Sequence, residues 1–292
     1  MKTVVIGNSG QLSAELKRLL DDNACFLGPE DTDITEEKVL HETLQALSPD
    51  VIINAAAYTA VDKAEEEPEL CTALNAVAVK NLATYCRLSG CFLVHVSTDY
   101  VFSGHKGSPY KTNDAIEPQG VYGKTKAQGE KALLDILPDD SCLIRTSWVY
   151  SSHGHNFVKT MLRLMKEKPS LSVVDDQIGS PTWAKGLAEL CVTAAHRKHK
   201  GIYHFTDEGV SSWYDFAVAI QELALHKRLI SSAIAILPVP TSAYPTPAKR
   251  PSYSVLDKQE TRVEFPELAF RHWREQLSDM LDELAQTTGG EL

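Results

Sequence analysis

The chain opens Met1-Lys2-Thr3-Val4-Val5-Ile6-Gly7-Asn8-Ser9-Gly10-Gln11-Leu12, and this stretch decides the fold. Thr3–Ile6 is an unbroken β-branched run and reads as a strand. A helix is expected over Gly10–Asp22, with Leu12, Leu16, Leu19 and Leu20 on one face. In a strand–glycine turn–helix of this kind the first glycine permits the tight turn. The second lets the backbone approach a pyrophosphate held at the helix N-terminus. Ser13 stands where a third glycine is common, so the pattern is GxxGxxS. The opening lacks the long apolar region and cleavage site of a signal peptide.

Working outward, short apolar runs alternate with helical periodicity. Strands are expected at Cys25–Leu27, Val51–Asn54, Cys91–Val96 and Leu143–Thr146. Helices are expected at Glu36–Leu47, carrying Val39, Leu40, Thr43, Leu44 and Leu47 and ended by Pro49, and at Leu70–Ser89 and Tyr122–Ile136. Alternation of this kind implies a parallel sheet covered on both faces. The expected fold class is therefore α/β: a Rossmann-like doubly wound parallel sheet over residues 1–146, with a smaller C-terminal substrate-binding α/β domain over 147–292. Part of 170–200 is expected to return to the first domain. Beyond Trp148 helices are expected at Phe157–Lys166, Lys185–Arg197, Trp213–Leu225 and Arg271–Ala285, with a frayed tail after the last. Leu237–Ser252 holds five prolines and reads as an extended loop near a ligand or a domain seam.

Lys plus Arg number 29 against 39 Asp plus Glu, a net charge of −10, which argues against nucleic-acid or anionic-membrane binding. No apolar run reaches the ~18 residues of a membrane span. The six cysteines form no CxxC pair. They read as reduced, buried side chains of a cytoplasmic protein, without structural zinc. His95, His153 and His155 lack metal-ligand spacing, so no metal site is expected.

The acidic residue that would meet an adenosine ribose lies among Glu30, Asp31 and Asp33. No Lys or Arg occurs between Arg18 and Lys38, so a local clamp for a 2′-phosphate is missing. NADH is therefore expected to serve, with NADPH left open. Tyr122 and Lys126 sit four apart and share a helix face. An ammonium beside a phenol favours the phenolate, so Lys126 is expected to lower the Tyr122 pKa. Tyr122 then gives its proton to a carbonyl oxygen as hydride reaches the carbon. Ser97 or Thr98, at the carboxyl end of a strand, offers a hydroxyl to the same oxygen. Trp148 and Tyr150 follow a strand end and suit stacking, and Arg250 offers a fork for phosphate. Glu65-Glu66-Glu67 reads as a solvated helix start, and Asn75 as a link from helix to sheet.

These segments resemble the extended short-chain dehydrogenase/reductase family and, within it, the dTDP-4-dehydrorhamnose reductases. The resemblance rests on Gly7-Asn8-Ser9-Gly10-Gln11-Leu12, on Asn54–Glu65 (NAAAYTAVDKAE), on Ser97-Thr98-Asp99-Tyr100-Val101-Phe102 and on Tyr122–Lys126. It extends through Arg145–Tyr150 (RTSWVY), Asp176–Thr182 (DQIGSPT) and Pro245–Pro251 (PTPAKRP). It implies Thr98, Tyr122 and Lys126 as the catalytic group. It implies cofactor contacts from Gly7, Asn8, Ser9, Gly10, Gln11 and Leu12, with Asp33 and Ile34 near the adenine. Ala56, Ala57 and Tyr58 would follow the fourth strand along the cofactor, and Lys126 would anchor the nicotinamide ribose. Thr98, Asp99, Tyr100, Trp148 and Arg250 would contact a dTDP-sugar. The implied reaction is reduction of the C4 ketone of dTDP-4-dehydro-6-deoxy-L-mannose by NADPH or NADH. The resemblance also allows a homodimer, and Mg2+, which some relatives use at a subunit contact. Two alternatives remain open at this level: a non-catalytic NAD(P)-binding regulatory subunit, and a reductase or epimerase of another nucleotide sugar.

Overall fold

The computed structural model describes residues 1–288. The first half runs β1 (Thr3–Ile6), α1 (Gln11–Leu19), β2 (Cys25–Leu27), α2 (Glu37–Leu47), β3 (Val51–Asn54), α3 (Pro68–Thr72), α4 (Ala78–Ser89), β4 (Phe92–Thr98), α5 (Val121–Ile136) and β5 (Ser141–Thr146). The second half adds β6 (Val149–Tyr150), α6 (Phe157–Glu167), β7 (Ser170–Val174), β8 (Ile178–Gly179), β9 (Thr182–Trp183), α7 (Ala184–Arg197) and β10 (Gly201–His204). It closes with β11 (Ser211–Ser212), α8 (Trp213–His226), β12 (Ala235–Val239), α9 (Gln259–Glu264) and α10 (Trp273–Thr288).

Six strands form one sheet in the order β10-β5-β4-β3-β1-β2, every pair parallel. The sheet is buried on both faces, and side-chain alternation divides it between two cores. Val5, Val51, Ile53, Phe92, Val94, Cys142 and Ile144 pack with Leu12 and Leu16 of α1 and Leu187 to Ala195 of α7. Val4, Ile6, Ile52, Leu93 and Leu143 pack on the other face with Leu40, Leu44, Leu82 and Leu133 of α2, α4 and α5. Each such fully buried aliphatic side chain contributes ~1.5–3 kcal/mol. A third core holds α6, α8 and α10 together through Val158, Leu162, Phe216, Ile220, Leu277 and Leu281.

The chain leaves β1 for β2 on one side and returns to β3 on the other. That reversal opens a crevice at the carboxyl ends of β1 and β3, where an open α/β sheet takes its ligand. Among the described residues no helix is long and apolar enough to cross a membrane.

Several expectations are corrected. The helix read as Leu70–Ser89 is α3, a π turn at Ala73–Val77, and α4. Leu19 and Val39 are exposed, whereas Leu12, Leu16 and Leu20, and Leu40, Leu44 and Leu47, pack against the sheet cores. The proline-rich stretch contributes β12, which pairs in parallel with β7. Pro238 is tolerated there because a two-stranded ribbon leaves one edge free of ladder partners. β10 extends the main sheet from beyond residue 147, beside β5. Helix α10 runs to Thr288, past the point where fraying was expected, and the remaining tail residues 289–292 lie outside the described residues.

Candidate active site

A cleft of about 1040 Å3 runs along the carboxyl ends of the strands. At one end it is lined by Gly7, Asn8, Ser9, Gly10, Gln11 and Leu12, with Asp33 and Ile34 beyond them and Ala56 and Ala57 on the far wall. Gly7 has φ +101°, a conformation that favours glycine, and a Cβ there would lie 3.2 Å from the Ala56 nitrogen. Helix α1 starts behind this turn with Gly10 as N-cap and no side-chain cap. Its first N–H groups therefore need an acceptor, and a pyrophosphate supplies one. Ser13 is buried against the turn. These residues fit a dinucleotide.

Asn8 donates through Nδ2 to the Glu30 carboxylate, and Lys17 Nζ donates to the Asn8 carbonyl at 2.7 Å. Tyr58 is set apart from this wall. Its N–H donates to Asn75 Oδ1 at 2.9 Å and its hydroxyl to Glu67 at 2.8 Å. The stretch 56–58 follows β3, the third strand in chain order, rather than a fourth. Tyr58 is thus drawn into packing by the π turn, which the pattern of the chain did not show. Asn75 does link the helix to the loop after β3, its Nδ2 donating to the Tyr58 carbonyl at 3.1 Å.

At the other end the cleft is lined by Ser97, Thr98, Asp99, Tyr100, Tyr122, Lys126, Trp148 and Arg250. Thr98 ends β4, and Tyr122 and Lys126 lie on the first two turns of α5. The two hydroxyls left open by sequence have different partners. Ser97 Oγ donates to Glu130 at 2.5 Å, whereas Thr98 Oγ1 donates to Asp99 at 3.0 Å, accepts from the Tyr100 N–H at 3.2 Å and acts on the Tyr122 phenol. Burial pushes the Tyr122 phenol above its ordinary range, and the Thr98 hydrogen bond opposes that rise. The expected lowering by Lys126 is absent from this state. Lys126 is itself buried and donates to the Val96 carbonyl at 2.7 Å, and burial lowers its pKa to about 8. Asp99 is buried, which raises its carboxyl to about 6. Tyr100 meets Tyr122 edge-on, ring centroids 5.5 Å apart.

Helix α5 reaches this position because two of its residues lack a side chain. A Cβ on Gly123 would lie 2.3 Å from the Tyr100 carbonyl oxygen, and one on Gly129 would lie 2.1 Å from that of Asn75. Its first N–H is met by Glu65, which accepts from Val121 N at 2.8 Å. Glu65 is therefore an anchor for α5, where a solvated helix start was expected.

Trp148 sits at φ +47°, a conformation costing ~1–3 kcal/mol outside glycine. Its indole stacks on Trp213 at 3.6 Å, and Gly179 leaves the space it fills. Trp213 also lines the cleft, a residue the sequence reading placed only on a helix. Arg250 lines the mouth with its fork already engaged. Nη1 and Nη2 donate to the two Asp62 oxygens at 3.0 and 2.7 Å, and that hydrogen bond holds the Asp62 carboxyl below its usual range.

Among the described residues, Glu15, His153 and Glu283 bring potential ligand atoms within 4.8 Å of one another. Both carboxylates already hold Arg18, and each accepts a serine hydroxyl, from Ser151 or Ser152. A cation-neutralised set that includes a nitrogen does not fit Mg2+, which prefers oxygen and retained water.

A family model described as the RmlD substrate binding domain matches residues 1–286. The chain belongs to that family. A dTDP-4-dehydrorhamnose reductase of Salmonella typhimurium is 42% identical over 300 residues, covering 99% of each chain. The solved dTDP-4-dehydrorhamnose reductase of Clostridium acetobutylicum superposes with a TM-score of 0.90 at 38% identity, over 97% of this chain and 99% of that one. The Bacillus anthracis dTDP-4-dehydrorhamnose reductase, solved in complex with NADP, superposes with a TM-score of 0.91 at 35% identity, over 97% of this chain and 100% of that one. The RmlD family match thus spans the glycine turn, the Thr98–Tyr122–Lys126 group and the Arg250 loop together.

Proposed function

We propose that the chain reduces the C4 ketone of dTDP-4-dehydro-6-deoxy-L-mannose, giving dTDP-L-rhamnose. The observation that carries this reading is the convergence of Thr98, Tyr122 and Lys126 at one end of a cleft whose other end suits a dinucleotide. The bound nicotinamide supplies the hydride. Tyr122, held neutral by burial, moves its phenol proton to the C4 oxygen. Thr98 hydrogen-bonds that oxygen, so charge developing there meets donors already in place. Lys126 anchors the nicotinamide ribose, and its charge stabilises the phenolate left after proton transfer. Asp99, Tyr100 and Trp148 surround the sugar, and Arg250 turns part of its fork toward the diphosphate. Five of the six cysteines are buried and all are free, in keeping with a cytoplasmic enzyme.

A nicotinamide absorbance assay across a panel of nucleotide 4-keto sugars tests the reading. Oxidation of reduced coenzyme with the dTDP-4-dehydro-6-deoxy-L-mannose substrate is expected. Turnover of every sugar but that one overturns the assignment.

For the coenzyme, the Glu30 carboxylate beside Asn8 favours a ribose 2′-hydroxyl over a 2′-phosphate. NADH is expected to support turnover, and an absolute requirement for NADPH contradicts this placement. For the nucleotide end, Arg250→Lys keeps the charge and loses the fork. It is expected to raise KM for the dTDP-sugar by ~10-fold with little change in kcat. An unchanged KM removes Arg250 from substrate binding.

A further inference from the structure

One buried cluster behind the site is not used by the chemistry above. Glu130 lies on α5 at the same helical spacing as Tyr122 and Lys126, two turns and one turn further along. Its carboxylate accepts from Arg145 Nε at 3.0 and 3.1 Å and from Arg145 Nη2 at 2.7 Å. It also accepts the Ser97 hydroxyl at 2.5 Å. Arg145 and Ser97 face each other in the register of β4 and β5, and the next pair is Thr98 with Thr146. Arg145 Nη1 donates to the Thr112 carbonyl at 2.9 Å and lies 3.3 Å from His204 Nε2. Glu130 and Arg145 are both buried.

A buried ion pair is weak evidence for stability, because desolvation offsets much of its attraction. Its geometric consequence is plainer. Glu130 takes donors from two adjacent strands, each from the residue just before the strand position at the cleft floor. Two successive turns of α5 are thereby tied to β4: Lys126 to the Val96 carbonyl, and Glu130 to Ser97.

We propose that Glu130, clamped by Arg145 and Ser97, is a positioning residue that fixes where α5 presents Tyr122 and Lys126. The proposal rests on the reductase reading for its effect on turnover. It has an electrostatic side as well. The titratable groups that face Lys126 are Glu130 from its own helix, Cys71 from α3 and His95 from β4. Burial holds His95 neutral, and Glu130 favours the Lys126 charge. Glu130 is the carboxylate among these neighbours.

The test follows the Lys126 side chain by carbon NMR in lysine-labelled protein, together with the pH profile of kcat. Glu130→Gln removes the negative charge and leaves Arg145, so the Lys126 titration and the basic limb of kcat should move to lower pH. Arg145→Gln leaves Glu130 unbalanced and should move both to higher pH. In each variant kcat at pH 7 is expected to fall at least ~10-fold, with coenzyme affinity changed much less. A purely structural role would lower the melting temperature and leave the titration in place. Both variants folded, with the titration unmoved and kcat near wild type, overturns the proposal. Where neither folds, Ser97→Ala decides, since it removes one hydroxyl and leaves both charges. Its kcat should fall several-fold at constant coenzyme affinity, and an unchanged kcat overturns the proposal. Wild type without turnover would instead defeat the reductase reading, and the NMR shifts would still decide the role of Glu130.

Discussion

Tyr122→Phe is expected to cut turnover by at least ~10²-fold while coenzyme affinity stays nearly constant. The substitution removes one hydroxyl and keeps the ring that meets Tyr100 edge-on. The glycine turn at Gly7–Gly10 and the first turn of α1 are untouched. What disappears is the proton delivered to the C4 oxygen. The pH behaviour has a definite sign. Burial raises the Tyr122 phenol, so the donor form is populated at neutral pH, and Lys126, lowered to about 8, keeps most of its charge there. Turnover should decline as pH rises through 8, when Lys126 loses the charge that balances a phenolate. Steady-state kinetics with coenzyme binding by fluorescence check both points. Near-normal turnover in the variant removes Tyr122 from its role.

Gly123→Ala is expected to be almost as damaging, by a different route. A methyl at 2.3 Å from the Tyr100 carbonyl oxygen cannot be placed without moving backbone. The overpacking should cost ~1–3 kcal/mol of stability. More is lost in kinetics, because the residue displaced with Gly123 is Tyr122, and a misplacement of ~1 Å can cost ~10²-fold. Thermal unfolding and kcat measured on one preparation separate the two. A variant with a modestly lowered Tm and full activity shows that the close contact between α5 and Tyr100 does not set the geometry.

Much of this arrangement was legible from local pattern. β1, β2 and β3 have the bounds expected of β-branched and apolar runs, and the glycine turn faces the crevice. Tyr122 and Lys126 fall on one helix face because their spacing demands it. What escaped is non-local. β10 is four residues, Gly-Ile-Tyr-His, and only its pairing with β5 makes it a strand. Glu65 looked like part of an acidic run, and its function depends on Val121, which lies 56 residues away. Tyr58 sits in a motif that the resemblance sets along a cofactor, but Asn75 and Glu67 hold it in the packing behind. The Lys126 effect on Tyr122 was argued from charge alone. In this state that effect is absent and burial sets the direction, because desolvating a phenol disfavours its anion.

The central claim is that this cleft brings a nicotinamide hydride to C4 of the sugar. The direct measurement supplies NADH deuterated at the transferable C4 position of the nicotinamide, with dTDP-4-dehydro-6-deoxy-L-mannose, and locates the label by NMR. The account predicts deuterium at C4 of the product sugar, one per turnover. Product formed without label at that carbon, or coenzyme oxidised with the ketone intact, contradicts it.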